Sequence, residues 1–259
     1  MLLEASHGEL GNAARAWQRM DTRSMARAGS FVPKGYTVPP EKRAAAEQRQ
    51  LKVYMNSPGL LAEPYRGDPP KLSLLSWLTV DGIRERWKRL VGRAKSVYTL
   101  AKCKKDIEGF DLRKFKKEVG EIHEKICTLH AKGDLTELRK YTTPATLAAI
   151  KREIKAREAA HWDRIEWTVR QPLKLVQVLQ GRLVGLDPKD SSHAFAQLTL
   201  RLHSDQKFLV HDKHGKWKAG SPDSDLFVEE YWVLERKLGD PRDRWKLAGR
   251  IHPQHAKGG

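Results

Sequence analysis

Cysteine is scarce in this chain: two in 259 residues, Cys103 and Cys127. Two thiols give neither a disulfide framework nor the paired spacing of a zinc site, and each falls in a helical pattern, where a thiol is buried or idle. Such usage fits a reducing compartment. Long apolar runs are missing too. The nearest, residues 72–80, falls well short of the roughly 18–20 residues that cross a bilayer, and reads as a core-facing segment. No G-x-x-x-x-G-K-S/T, G-x-S-x-G or H-E-x-x-H occurs, so the common signatures of phosphate-cradling loops, nucleophile elbows and zinc hydrolases are absent. Acidic residues are outnumbered, 32 Asp+Glu against 49 Lys+Arg, which leaves a formal charge of +17 and a pI near 9.9. That excess points to a polyanionic partner, either nucleic acid or an anionic membrane surface. A well-solvated basic surface is the plain alternative.

Residues 1–40 carry no core pattern. Arg15, Arg19, Arg23 and Arg27 recur every fourth position and would line one side of a helix. The stretch reads either as an arginine-rich targeting segment or as a basic arm kept on the mature protein. Residues 31–40 hold three prolines and read as extended. Residues 41–55 are rich in Ala, Glu, Gln, Lys and Arg, a helical composition. Residues 57–70 hold four prolines and two glycines, the mark of a linker or a surface-hugging loop.

From Ile83 the pattern turns helical. Ile83, Trp87, Leu90, Ala94, Val97 and Ala101 follow a 4-3-4-3-4 spacing that makes one apolar stripe, expected to pack inward. Arg84, Arg86, Lys88, Arg89, Arg93, Lys95, Lys102, Lys104 and Lys105 cover the remaining surface. Residues 71–118 hold 14 Lys+Arg against 6 Asp+Glu, so under a fifth of the chain carries nearly half the net charge. A helix packed by one stripe and cationic elsewhere suits a phosphate backbone, and would also suit anionic lipid headgroups. A second amphipathic helix follows on Leu112, Phe115, Val119, Ile122, Ile126 and Leu129, stopped by Gly133. Asp134 with Glu137 forms a capping box for a short helix, and Pro144 opens another with Leu147, Ile150 and Ile154 facing inward.

Residues 193–251 read as an antiparallel meander. Ala194, Ala196, Leu198, Leu200 and Leu202 alternate with Phe195, Gln197, Thr199, Arg201 and His203, the period-2 signature of a strand with two different faces. Further strands are expected over 208–212, 226–237 and 244–251, preceded by candidates at 165–169 and 173–184. The expected fold is therefore α+β, with helices packed on a curved antiparallel sheet behind an extended and helical basic N-terminal region. The expected organisation is 1–70 extension, 71–108 basic helical segment, 109–253 α+β domain and 254–259 tail.

No residue pattern nominates a nucleophile. His203, His211, His214 and Asp212 cluster around a turn without a shared helix face, so surface histidines are expected and no metal site. Glu229 and Glu230 are adjacent on a strand and point to opposite faces, which prevents them acting as a pair.

Short segments in a fixed order carry a resemblance. Val32-Pro33-Lys34-Gly35-Tyr36 with Pro39-Pro40, Lys104-Lys105 with Phe110 and Phe115, residues 197–203 with 212–216, and residues 230–238 with Pro241 and Trp245 span residues 31–253. In that order they resemble the family of mitochondrial large-subunit ribosomal protein forty-five, which shares its C-terminal domain with the import-motor subunit Tim forty-four. The resemblance implies a cone-shaped domain and a non-catalytic component of the mitochondrial large ribosomal subunit, in the matrix near the polypeptide exit. Its implied partners are ribosomal RNA, neighbouring mitochondrial ribosomal proteins and the inner membrane or its insertase, with no cofactor and no small-molecule substrate. It places Pro33, Lys34, Gly35 and Tyr36 at the exit tunnel. The rRNA-binding set expected from the cationic helix is its nine cations from Arg84 to Lys105. The competing expectations are a peripheral inner-membrane import or insertion factor outside the ribosome, and an enzyme using the cone as a pocket.

Overall fold

The alternation centred on Leu198 becomes one strand of 17 residues, Phe195–His211, the spine of a six-stranded antiparallel sheet. The computed structural model describes residues 57–68, 79–185, 194–221 and 225–253. Among the described residues four helices precede the sheet: α1 Val80–Asp106, α2 Leu112–Lys132, α3 Leu135–Tyr141 and α4 Pro144–Ala159. The strands are β1 Arg164–Val169, β2 Leu175–Val184, β3 Phe195–His211, β4 Trp217–Gly220, β5 Leu226–Lys237 and β6 Lys246–Ile251. The α+β expectation holds. Two details differ from it. Residues 193–203 and 208–212 were expected as separate strands, yet β3 runs through Ser204–Lys207 because β5 pairs with it as far as Gln206 and β1 takes over from Gln206 to His211. Trp217 opens a strand instead of merely following the turn.

The length of β3 sets the layout. β2 pairs with its first half and β1 with its second, end to end along one edge. β5 and β4 share the other edge, and β6 closes the sheet beyond β5.

One sheet face is covered by helices because their apolar stripes match its apolar row. Phe115, Val119, Ile122, Ile126 and Leu129 of α2 and Ile150 and Ile154 of α4 are buried with Ala196, Leu198, Leu200 and Leu202 of β3. Cys103 and Ile107, at the C-terminal end of α1, enter the same core. Phe115 and Trp245 tilt together with ring centroids 4.8 Å apart. Both cysteines are buried and unpaired. The expected stops appear: Gly133 takes φ 74 after α2, where only glycine avoids a Cβ penalty. Asp134 caps α3 by accepting from the amides of Thr136 and Glu137 at 3.1 and 3.0 Å. Glu137 turns to Lys140 (2.7 Å) and does not complete the box.

The opposite sheet face is covered by a strap, residues 57–68. Gln197 accepts from the Ala62 amide and donates to the Leu60 carbonyl, both at 2.8 Å, and also donates to Glu235 at 2.8 Å. Tyr65 stacks on Tyr231 with centroids 5.9 Å apart, and Asp68 pairs with Arg201 at 2.5 Å. The proline-rich stretch is thus the surface-hugging loop. No described helix is long and apolar enough to cross a membrane.

Candidate functional site

α1 begins where Thr79 accepts from the Gly82 amide at 3.2 Å, and carries Asp81 in its first turn with Lys104 and Lys105 in its last, charges that complement the helix dipole. Its orientation overturns the expectation for the apolar stripe. Ile83, Leu90, Trp87 (65 % exposed) and Val97 (67 % exposed) face away from the sheet, joined by Val80 and Tyr98. Gly82, Thr99 and Cys103 are the buried residues of the helix, with Gly92 and Ser96 on the same side. At about 100° per residue the buried seam and the apolar stripe lie on opposite sides of the cylinder.

The cause is the fit to β2. A Cβ on Gly181 would sit 2.9 Å from the Thr99 Cβ, so helix and strand approach as closely as glycine and threonine permit. Polar groups fill the seam. Ser96 Oγ accepts from the Gly181 amide at 3.1 Å, and Arg182 donates to the Gly92 carbonyl at 3.3 Å and to Ser96 at 3.2 Å. Glu63 of the strap pairs with Arg182 at 2.6 Å and also with Lys95. These partners hold the Glu63 carboxyl below its usual range, led by Lys95, against the opposing pull of burial.

The nine cations do not share one face. Arg84, Lys88, Arg93, Lys104 and Lys105 are exposed, Lys88 with only a distant Glu85 at 3.9 Å. Arg86 and Arg89 are half-buried, and Arg89 lies 3.6 Å from Glu85. Lys102 pairs with Asp106 at 2.9 Å and Lys95 with Glu63. The exposed cations flank the apolar stripe on both sides. Pro33, Lys34, Gly35 and Tyr36 lie outside the described residues.

Sequence reasoning missed a buried polar cluster beneath the helices. Glu230 points into the core, as Glu229 points out of it, and accepts from His123 Nε2 at 2.7 Å, Gln206 Nε2 at 2.9 Å and Trp232 Nε1 at 3.2 Å. Burial pushes its pKa up, but attraction to His123 and its hydrogen bond, then Arg250 and the Trp232 N–H, outweigh burial and hold it at about 2. His130 is buried nearby on α2, 3.5 Å from Glu153. Its pKa is lowered to about 3 by burial first and then by Arg250 and Arg157. Both cysteine thiols are pushed up by burial, Cys103 to about 12, which removes thiolate chemistry at neutral pH.

Around the β3–β4 turn, Asp163, Arg164, Glu166, His211, Asp212, Lys213 and Gly215 line an open cleft of about 370 Å³. Asp212 accepts from the amides of His214 and Lys216 at 2.9 and 3.0 Å, so its carboxylate builds the turn. His203 pairs with Glu229 at 3.0 Å. No three metal-ligating side chains converge among the described residues.

The Tim44-like domain model matches residues 97–252, from the second half of α1 to the end of β6. The large ribosomal subunit protein mL45 of Bos taurus is 25% identical over 182 residues, 70% of this chain and 57% of that protein. Its counterpart in Drosophila melanogaster is 25% identical over 190 residues, 73% of this chain and 49% of that protein. That of Caenorhabditis elegans is 29% identical over 157 residues, 58% and 40%. The chain therefore spans about half the length of the curated relatives it matches. The resemblance to this family is borne out, and with the match covering residues 97–252, more than half of the chain and the whole sheet, the chain belongs to the Tim44-like domain family.

Proposed function

We propose that the chain is a structural, non-catalytic component of the mitochondrial large ribosomal subunit. The observation that carries this is the agreement of its relatives, which are named as large ribosomal subunit proteins and align over 58–73% of the chain. The charge distribution supports a role for ribosomal RNA. Arg84, Lys88, Arg93, Lys104 and Lys105 stand exposed along one 27-residue helix, about 40 Å of cation-bearing rod. Each phosphate neutralised by such a side chain releases counterions, so attachment weakens steeply with salt. Arg86, Arg89, Lys95 and Lys102 contribute to that field while held by neighbours. In this reading Pro33, Lys34, Gly35 and Tyr36 lie along the exit tunnel, and the α+β domain faces the inner membrane or its insertase from the matrix side.

Sucrose-gradient fractionation of mitochondrial lysates tests it. The chain co-sediments with the large subunit at low salt, and R84E/R93E/K104E/K105E shifts it to lighter fractions at a salt concentration the unaltered chain withstands. Co-sedimentation unaffected by the four reversals refutes the rRNA anchor. Retention on membranes after a high-salt wash, with none on the subunit, identifies a peripheral import or insertion factor instead.

A further inference from the structure

Basic side chains from three elements meet at the end of the domain where α1 stops, α2 starts and β5 turns into β6. Phe110 and Phe115 both lie against Trp245, with ring centroids 6.3 and 4.8 Å away, which sets the β5–β6 turn beside the opening of α2. Arg113, Lys114, Lys116 and Lys117 of α2 are all exposed, spread over about 160° of the helix opposite the buried Phe115 and Val119. Arg242 and Arg244 of the turn are exposed as well, as are Lys104 and Lys105 at the end of α1.

Exposed cations are ordinary; the placing of the acids between them is not. Asp111 accepts from the amides of Arg113 and Lys114 at 2.9 and 3.2 Å. Asp240 accepts from the Arg242 amide at 3.0 Å, and Asp243 from the Lys237 amide at 2.8 Å and from Lys246 at 2.6 Å. Asp106 holds Lys102 at 2.9 Å. These carboxylates are committed to caps, turns and neighbours, which leaves Glu108 and the half-buried Glu118 against eight exposed cations, none of which closes an ion pair among the described residues. At the β3–β4 turn, by contrast, Lys218 faces Asp212 at 3.5 Å and Arg164 pairs with Glu166 at 2.8 Å.

We propose that Arg113, Lys114, Lys116, Lys117, Arg242 and Arg244 form a phosphate-binding corner that carries an RNA backbone past the end of α1. The composition favours RNA over other anionic partners. Lysine is depleted in protein–protein interfaces, whose centres need apolar anchors, and a lipid surface takes up an apolar face. At this corner Leu112, 38% exposed, is the exposed large apolar side chain among the described residues. The exposed Trp217 and Phe227 lie toward the other end of β3, beside His211 and Asp205. A patch that is polar, rich in lysine and without an apolar centre is what phosphate contacts use.

This deepens the ribosomal reading, and rests on it only for which RNA is met. The test follows binding of the full-length chain to a fluorescein-labelled RNA hairpin by anisotropy, from about 50 to about 200 mM KCl. R113Q/K114Q/K117Q/R244Q removes four of the cations; it lowers the association constant at least about tenfold and shrinks the slope of log K against log salt by about 3. R164Q/K213Q/K216Q/K218Q removes the same charge from the β3–β4 end and leaves the slope within about 1 of the original. Because the replaced side chains of the corner are exposed and make no ion pair, the melting temperature of that variant stays that of the unaltered chain. An unchanged slope in the corner variant, or an equal fall in both variants, overturns the proposal. So does p-benzoylphenylalanine at Lys117, irradiated in the gradient fraction that holds the chain, if it joins lipid or a peptide; the expected adduct is with nucleotides. If the chain migrates away from the large subunit, the ribosomal reading fails, while the salt slopes still decide the corner.

Discussion

Replacing Glu230 with glutamine probes the interior directly, because three N–H groups already aim at its carboxylate. Glutamine keeps the size and shape but replaces one acceptor oxygen with an NH2, so at least one of those donors meets another donor. The magnitude follows from the titration. A pKa held at about 2 in place of 4.5 corresponds to about 3 kcal/mol of preferential stabilisation of the carboxylate. The side chain is 18% exposed, so water screens part of this and the expected loss for E230Q at pH 7 is about 2–3 kcal/mol. In a domain of this size that lowers the melting temperature by roughly 5–10 °C. The pH dependence has a definite sign. A depressed pKa contributes stability that is complete above the unfolded value of 4.5 and is lost as pH falls toward 2. Thermal melts by circular dichroism, run from pH 7 to pH 3, should therefore show the gap between the unaltered chain and E230Q shrinking to under about half. Changing both partners, H123F/E230L, should cost less than the sum of the single changes, since no charge is left unpaired. An E230Q melt within a degree of the original at pH 7, or a gap that widens on acidification, contradicts this account of the cluster.

His130 makes a second acid-sensitive contribution with a different window. Its folded pKa of about 3 lies below the ordinary 6.5, so the unfolded chain takes up the proton first and stability falls as pH drops below 6.5, by about 2 kcal/mol at pH 5. Urea denaturation at pH 7.5 and pH 5 should show that loss in the unaltered chain and a loss smaller by about that amount in H130F; equal losses contradict the assignment. At the α1–β2 contact, G181V places atoms where the Thr99 Cβ stands 2.9 Å away, an overpacking worth about 1–3 kcal/mol. Hydrogen exchange should show the Gly181 amide, now bonded to Ser96, losing protection before the amides of β3. Unchanged protection would mean that the close approach does not hold the helix.

Most of the core was legible because its signals are local. The 3-4 spacing from Phe115 to Leu129, the Gly133 stop, the Asp134 cap and Pro144 each act within one or two turns, and the fold uses all of them. What escaped depends on which surfaces meet. Gln197 and Thr199 lie on the second face of the alternating strand, yet each is 3% exposed, and polar backbone from residues 60–62 satisfies Gln197 from outside the sheet. Glu230 was placed on the face opposite Glu229, but its role needs His123 of α2, 107 residues away in sequence. A charged residue in a strand carries no mark of that partner.

α1 is the instructive failure. Its stripe has the same spacing as that of α2, and spacing identifies a face without saying what the face meets. Packing is settled by approach distance. Gly92, Ser96, Thr99 and Cys103 form a small-residue seam on the other side of the helix, and only small side chains can settle on Gly181. That seam was visible in the sequence at 4-3-4 spacing, as regular as the apolar one. Of the two competing seams on one helix, the small one packs on β2 and the apolar one is exposed among the described residues. Exposed apolar patches of that kind often mark binding surfaces, and bordering arginines help to keep such a patch soluble. The misfit between period and packing in α1 thus shows that a regular apolar spacing does not by itself decide which side of a helix packs.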